Sequence, residues 1–306
     1  MKKLLNFLIV FCLIGISTFL SFSQSQKEKT TFSLYFPKDS PHFCLLYYLS
    51  TKDYWNLYGT KVILTNTPQN ATLIALKASD KLPPGYKILL KLSNFEPYSV
   101  FTRKPIEELT FKNKAIILPS KGSKSYQDVV EFLARQGLKP YQDYTPYFDL
   151  PSDLYVEAFL AGIGNLLIIP TSNPHENLTL ASIIKAPDIG LLAVKDDIKV
   201  TDLKTIITAV YWGQKAFLKN LEPTPYLSHP PDKQKEFLLL LKKEGFFPEN
   251  LIFNPVNIAI AQKYYQNHSG PFFSSIFYQN LLTGIKAKSS IKDYFNYFLK
   301  KIFSFS

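Results

Sequence analysis

The stretch Ala115-Ile-Ile-Leu-Pro119, followed by Ser120-Lys-Gly-Ser-Lys-Ser125, constrains this chain more than any other. An apolar run ended by proline reads as a buried strand. Gly122 and the serines after it read as a loop closing onto a helix that runs from Tyr126 to Gly137. Ser123 or Ser125 can cap that helix by accepting backbone N–H bonds. A helix first turn also holds unpaired N–H donors and the positive end of the macrodipole, so it attracts anions. A strand that feeds a helix through a tight loop is a unit of an α/β layer fold, and the rest of the chain has to supply the sheet it joins.

The surrounding sequence supplies it. Thr30 to Phe36 alternates and is rich in β-formers, which predicts a strand. Phe43, Leu46, Tyr47, Leu49 and Tyr54 recur at helical spacing, which predicts one helix over 43–57 closed by Gly59. Strands are expected over 61–65, 87–92 and 98–102, with a short helix over 71–79 and a helical turn over 105–109. Beyond the central unit the expectation is an extended segment over 144–150, a helix over 153–161, and strands over 166–169 and 188–194. Helices are then expected over 201–220, 232–244, 257–266, 272–282 and 291–303. Pro223, Pro225, Pro230 and Pro231 make a stiff connector between two of them. Strand–helix alternation of this kind points to largely parallel sheets.

Met1-Lys2-Lys3 is a short basic segment, and Leu4 to Leu20 is an apolar one. Ser21 and Ser23 place small residues before a cut at Gln24, so residues 1–23 read as a secretory signal peptide. An uncleaved membrane anchor is the rival reading, because the apolar stretch approaches spanning length. Phe11 before Cys12 is wrong for a lipoprotein cysteine. After removal of the signal, which carries two lysines and no acid, the formal charge falls from +11 to +9. Cys44 is then the single cysteine, which excludes an internal disulfide and a Cys/His metal cluster. The lysines are dispersed and no run of five basic residues occurs, so no nucleic-acid groove is indicated. His42, His175, His229 and His268 have no metal spacing, and no catalytic Ser/His/Asp or paired-carboxylate set can be assembled from local sequence. Asn70, Asn177 and Asn267 begin short glycosylation-like triplets that carry no weight in an export context of bacterial appearance.

Several segments recur together in a recognisable order. They are Lys104-Pro-Ile-Glu-Glu-Leu-Thr-Phe-Lys-Asn-Lys114, Gly122-Ser123, Gly137-Leu138, Val156-Glu-Ala-Phe-Leu-Ala-Gly162 and Leu191-Leu-Ala-Val-Lys-Asp-Asp197. This order resembles the nitrate/sulfonate/taurine-type periplasmic substrate-binding proteins of ABC importers. The likeness is clearest from Arg103 to Pro174. Asn165 stands where the family commonly has Asp, Asn113 where it has Gly, and Thr171-Ser172 lacks an acidic residue often found there. The related thiamine-pyrimidine synthases share the fold but use a cysteine-rich catalytic motif that this chain lacks.

The resemblance implies a type II periplasmic-binding-protein fold: α/β, two-lobed, each lobe a mixed, mainly parallel sheet flanked by helices. Lobe 1 is expected over 27–99 plus 190–306 and lobe 2 over 100–189. In such a fold a ligand sits between the lobes, at strand C-terminal ends and helix N-termini. That position selects Ser40 and His42 from the loop after the first strand, and Asn66 after the second. It also selects Gly122, Ser123 and Ser125 after the central strand, and Thr171 and Ser172 after the last strand of lobe 2. Ser93 to Glu96 borders the hinge. The implied protein is a monomeric exported or periplasmic solute-binding protein. It would close on a small anionic or polar ligand and deliver it to an ABC permease in the inner membrane, with no cofactor and no chemistry. A sensor or partner-binding paralogue is the alternative, and an enzyme on the same scaffold a further one.

Overall fold

The computed structural model describes residues 30–37, 40–170, 177–222 and 231–251. In the first strand, β1 (Thr30–Tyr35), Phe32 and Leu34 turn inward while Ser33 and Tyr35 stay half-buried. Alternation of this kind follows from the pleat. The segment expected as one helix over 43–57 is two, α1 (Cys44–Thr51) and α2 (Tyr54–Leu57), because Asp53 between them adopts a left-handed backbone with φ 55°. After β2 (Thr60–Leu64) comes the largest departure from expectation. Leu73–Lys77, expected as part of a helix, is a strand, β3. Leu73, Ile74, Ala75 and Leu76 are all buried, since β3 lies inside its sheet with both faces covered. A short run that is apolar throughout carries no period by which strand and helix can be told apart.

β4 (Tyr86–Lys91) and β5 (Glu96–Thr102) follow. The expected helical turn over 105–109 is a bend without helix. The central unit is β6 (Lys114–Ile117) leading into α3 (Lys124–Arg135), whose end carries Gly137 with φ 76° and a Leu138 N–H bond to the Leu133 carbonyl. β7 (Tyr144–Tyr147), α4 (Tyr155–Leu160) and β8 (Leu166–Pro170) complete that region. β9 (Thr179–Ala186) had no counterpart in the sequence reading, and β10 (Gly190–Lys195), α5 (Val200–Asn220) and α6 (Pro231–Lys243) follow it. The signal segment, most of the proline connector, and the helices expected over 257–266, 272–282 and 291–303 lie outside the described residues.

The strands form two five-stranded sheets, ordered β2-β1-β3-β10-β4 and β7-β6-β8-β5-β9. In each, four strands run one way and the fifth runs against them. The reversed strand is β10 in the first sheet and β5 in the second. Each is the strand by which the chain enters from the other sheet. With β6, β7, β8, β5 and β9 set against β1, β2, β3, β10 and β4, the two orders are the same. The sheets are therefore built alike, although no sequence repeat connects them. The chain crosses between them twice, at 92–95 and 187–189.

The first sheet packs on α1, α5 and α6 through a core that includes Leu34, Leu46, Leu49, Phe217 and Leu238. The second sheet has a core on each face, one with Val129 and Leu133 of α3 and one with Tyr155 and Phe159 of α4. Ile183 of β9 belongs to the first core although its strand lies in the second sheet, and Leu180 packs against both. Among the described residues no helix is long and apolar enough to cross a membrane.

Candidate functional site

A connected cluster of buried polar groups lies at the two crossings. His42 sits in a 3-10 turn (Pro41–Phe43) that follows β1, and its ring is buried between Phe43 and Phe246. Its Nδ1 makes a short hydrogen bond with Ser93 Oγ on the first crossing. Its Nε2 lies 2.8 Å from Glu96 Oε2, at the first residue of β5. The same carboxylate oxygen takes Lys77 Nζ, from the end of β3, at 2.5 Å. Ser93 Oγ also accepts the Gly190 N–H at 2.6 Å, and the Leu92 N–H reaches the Gly190 carbonyl at 2.7 Å, so the crossings are bonded to each other. Gly190 has to be glycine. A Cβ there would lie 2.8 Å from His42 Cβ.

A second group lies beside the first. Asp188 on the return crossing accepts the Ser79 and Ile189 N–H groups and the Ser79 hydroxyl, the last at 2.6 Å. Lys124, first residue of α3, reaches Asp128 Oδ2 at 2.6 Å and Asp188 Oδ2 at 3.8 Å. Tyr98 donates its hydroxyl to the same Asp128 oxygen at 2.7 Å and takes a hydrogen bond from Ser125. The lysine side chains are 32% and 48% exposed, whereas those of Glu96, Asp128 and Asp188 are 9%, 10% and 2% exposed. Ammonium groups from a strand of the first sheet and from helix α3 beside the second thus lie more exposed than the buried carboxylates they pair with.

The electrostatics follow from that layering. Burial alone would push the Glu96 carboxyl up, but the His42 hydrogen bond and charge, with Lys77 beside them, pull it down to about 2. For Lys124, burial works against the charge, yet Asp128, Asp188 and Glu96 together hold its ammonium above its ordinary value. Burial and the Asp128 bond both raise the Tyr98 phenol.

The residues selected from the sequence are distributed unevenly over this cluster. His42 is inside it. Ser40 lies at the start of the same turn, and its hydroxyl is buried with no partner. Ser123 is the N-cap of α3, accepting the Tyr126 N–H at 3.1 Å, and Ser125 bonds Tyr98. Gly122 supplies a positive φ of 88° in the loop before the cap. Asn66 is exposed on the loop after the edge strand β2, away from the cluster. Thr171 and Ser172 lie outside the described residues. Sequence reasoning missed Lys77, Ser79, Tyr98, Lys124, Asp128 and Asp188, and it took Glu96 only as a hinge neighbour. The signal that could have found Lys77 and Ser79 was their place at the end of a strand, which the helix expectation hid.

Ser93, His42 and Glu96 are the residue types of a hydrolytic relay. Ser93 is fully buried, however, and its oxygen is already capped by the Gly190 amide, so it presents no nucleophile to a substrate. Among the described residues no group of three or more His, Cys, Asp or Glu could hold a metal ion. Two departures from the family pattern have structural explanations. Asn113 adopts φ 58°, a left-handed position where Gly is easiest and Asn is tolerated best among the rest. Asn165 accepts the Ala115 N–H through Oδ1 at 2.9 Å and returns its own N–H to the Ala115 carbonyl, a clamp an Asp could also make.

No family model matches the chain, and no curated protein matches it. Solved structures do. The ligand-binding component of an ABC-type import system from Staphylococcus aureus, with zinc bound, aligns at a TM-score of 0.51 and 11% identity, over 82% of this chain and 98% of that one. A Bordetella bronchiseptica protein aligns at 0.48 and 15%, over 83% and 98%. A Candida albicans protein described as having the generic periplasmic binding protein fold aligns at 0.44 and 13%, over 83% and 94%. Identities this low speak of architecture alone. With two like-ordered mixed sheets joined by two crossings, the chain has the two-lobed periplasmic-binding-protein fold.

Proposed function

We propose that this chain is an exported solute-binding protein of the nitrate/sulfonate/taurine-like type, working as a monomer. It closes on a small anionic or polar ligand and delivers it to an ABC permease in the inner membrane. No chemistry is done on the ligand. The observation that carries this reading is the convergence, at the crossings, of Lys77 from a strand of the first sheet and Lys124 from helix α3, which packs on the second. A ligand reaching both ammonium groups touches both lobes, so its binding energy favours the closed arrangement. The unpartnered Ser40 hydroxyl and the N-terminus of α3 add donors of the kind an oxyanion or a hydroxylated ligand uses. One observation favours the second reading, a sensor or partner-binding module. Each lysine already has a carboxylate within reach, so the cleft is largely self-neutralised.

A thermal-shift screen of sulfonates, nitrate, bicarbonate, carboxylates and pyrimidines separates the two. Saturation at a hundredfold over Kd contributes about 2.7 kcal/mol, a rise of several degrees. The expected result is a response to one ligand class that Lys77→Met and Lys124→Met each abolish. Silence across all classes overturns the transport reading.

A further inference from the structure

One unbroken run of hydrogen bonds leads from the cleft to both crossings. It passes from Lys77 Nζ to Glu96, to His42, to Ser93 and to the Gly190 N–H. One arrangement of the hydrogens meets every donor and acceptor along it. Ser93 Oγ accepts the Gly190 N–H and has one hydrogen of its own, and the atom it faces is His42 Nδ1. With a neutral imidazole carrying its proton on Nε2, every group is satisfied: Ser93 donates to Nδ1, and Nε2–H donates to Glu96. A second proton on the ring turns Nδ1 into a donor. Ser93 Oγ then faces two donors, and its own hydrogen has no acceptor among these groups at a fully buried site. An unmet buried hydroxyl is costly, and the serine relieves it only by turning away from the amide or the ring.

We propose that His42 is a proton-sensitive clamp of the hinge: neutral, it holds the two crossings together through Ser93, and on gaining a proton it loosens them. The groups that bias it are Glu96 from β5 directly and Lys77 from β3 through Glu96. Lys124 stands behind that carboxylate, and Asp188 is turned towards Ser79 and Lys124. The aromatic neighbours Phe43 and Phe246 carry no charge, and Glu244 nearby is turned to Lys185. The proposal does not depend on what the cleft binds.

Hydrogen exchange of the Gly190 amide in the full chain, corrected for the intrinsic pH dependence, reads the clamp directly. The Ala193 amide in the same strand is the control. Protection at Gly190 is expected to fall about tenfold, the loss of one buried hydrogen bond, with the midpoint at which NMR shows the His42 ring titrating. Ala193 should keep its protection. In His42→Asn the step should vanish, and in Ser93→Ala Gly190 should be unprotected at every pH. If His42 titrates without a step at Gly190, or the step survives in His42→Asn, the proposal fails. Should either variant not fold, the coincidence of the two midpoints in the unaltered protein decides it.

Discussion

Glu96 shows how a single side chain joins stability to the contact between the two crossings and β3. Its carboxyl is held at about 2, below its ordinary 4.5, by His42 and Lys77 against the pull of burial. A depressed carboxylate contributes stability that is fully present above its ordinary value and is lost as pH falls through the folded one. The window is therefore about pH 4.5 down to pH 2, and the contribution is on the order of 3 kcal/mol. Acid-unfolding curves should show it. Glu96→Gln should be less stable than the unaltered protein at neutral pH, and the difference should shrink towards pH 2. A constant gap would mean that Glu96 acts through packing alone. At this scale the sequence was legible where a residue answers to its neighbours in the chain. Ser123 caps the next turn, and Gly122 and Gly137 supply positive φ. Partners such as Asp188 for Ser79 lie 109 positions apart, and no local pattern announces them.

Among the elements, α5 lies against α1 at a point where only glycine fits. A Cβ on Gly213 would come within 1.8 Å of Leu49 Cδ2, and Leu49 is wholly buried, so the side chain or the helices must shift. Alanine improves helix propensity by about 1 kcal/mol, but overpacking a tight core costs about 1–3 kcal/mol. Gly213→Ala is therefore expected to lower the melting temperature by a few degrees, and Leu49→Ala in the same chain should recover part of the loss by making room. A more stable Gly213→Ala would show that the helices can slide apart. Elements whose two faces differ were readable, as α3 and α5 show. β3 was not, because burial on both faces removes the period that distinguishes strand from helix. β9 was hidden as well, since its half-buried residues give neither clean alternation nor a turn signal.

The lobes are coupled at the level of the whole molecule by more than two peptide crossings. Ile183 puts a side chain from the second sheet into the core of the first, and Leu180 touches both. Calorimetry should accordingly show one transition for the unaltered protein. Ile183→Ala should cost about 2–4 kcal/mol and resolve two transitions, whereas two transitions before any substitution would mean that the lobes melt independently. The matching strand orders have a further consequence, in time rather than in space. β10 lies between β3 and β4, yet it leaves the ribosome about a hundred residues after β4, from Lys91 to Gly190. The second sheet has all its strands in one continuous stretch, β5 to β9. The half of the molecule that begins first is thus the half completed last. The two strands that flank β10, β3 and β4, wait with those edges unpaired while the later half closes, and that interval is when the nascent chain most needs protection from association.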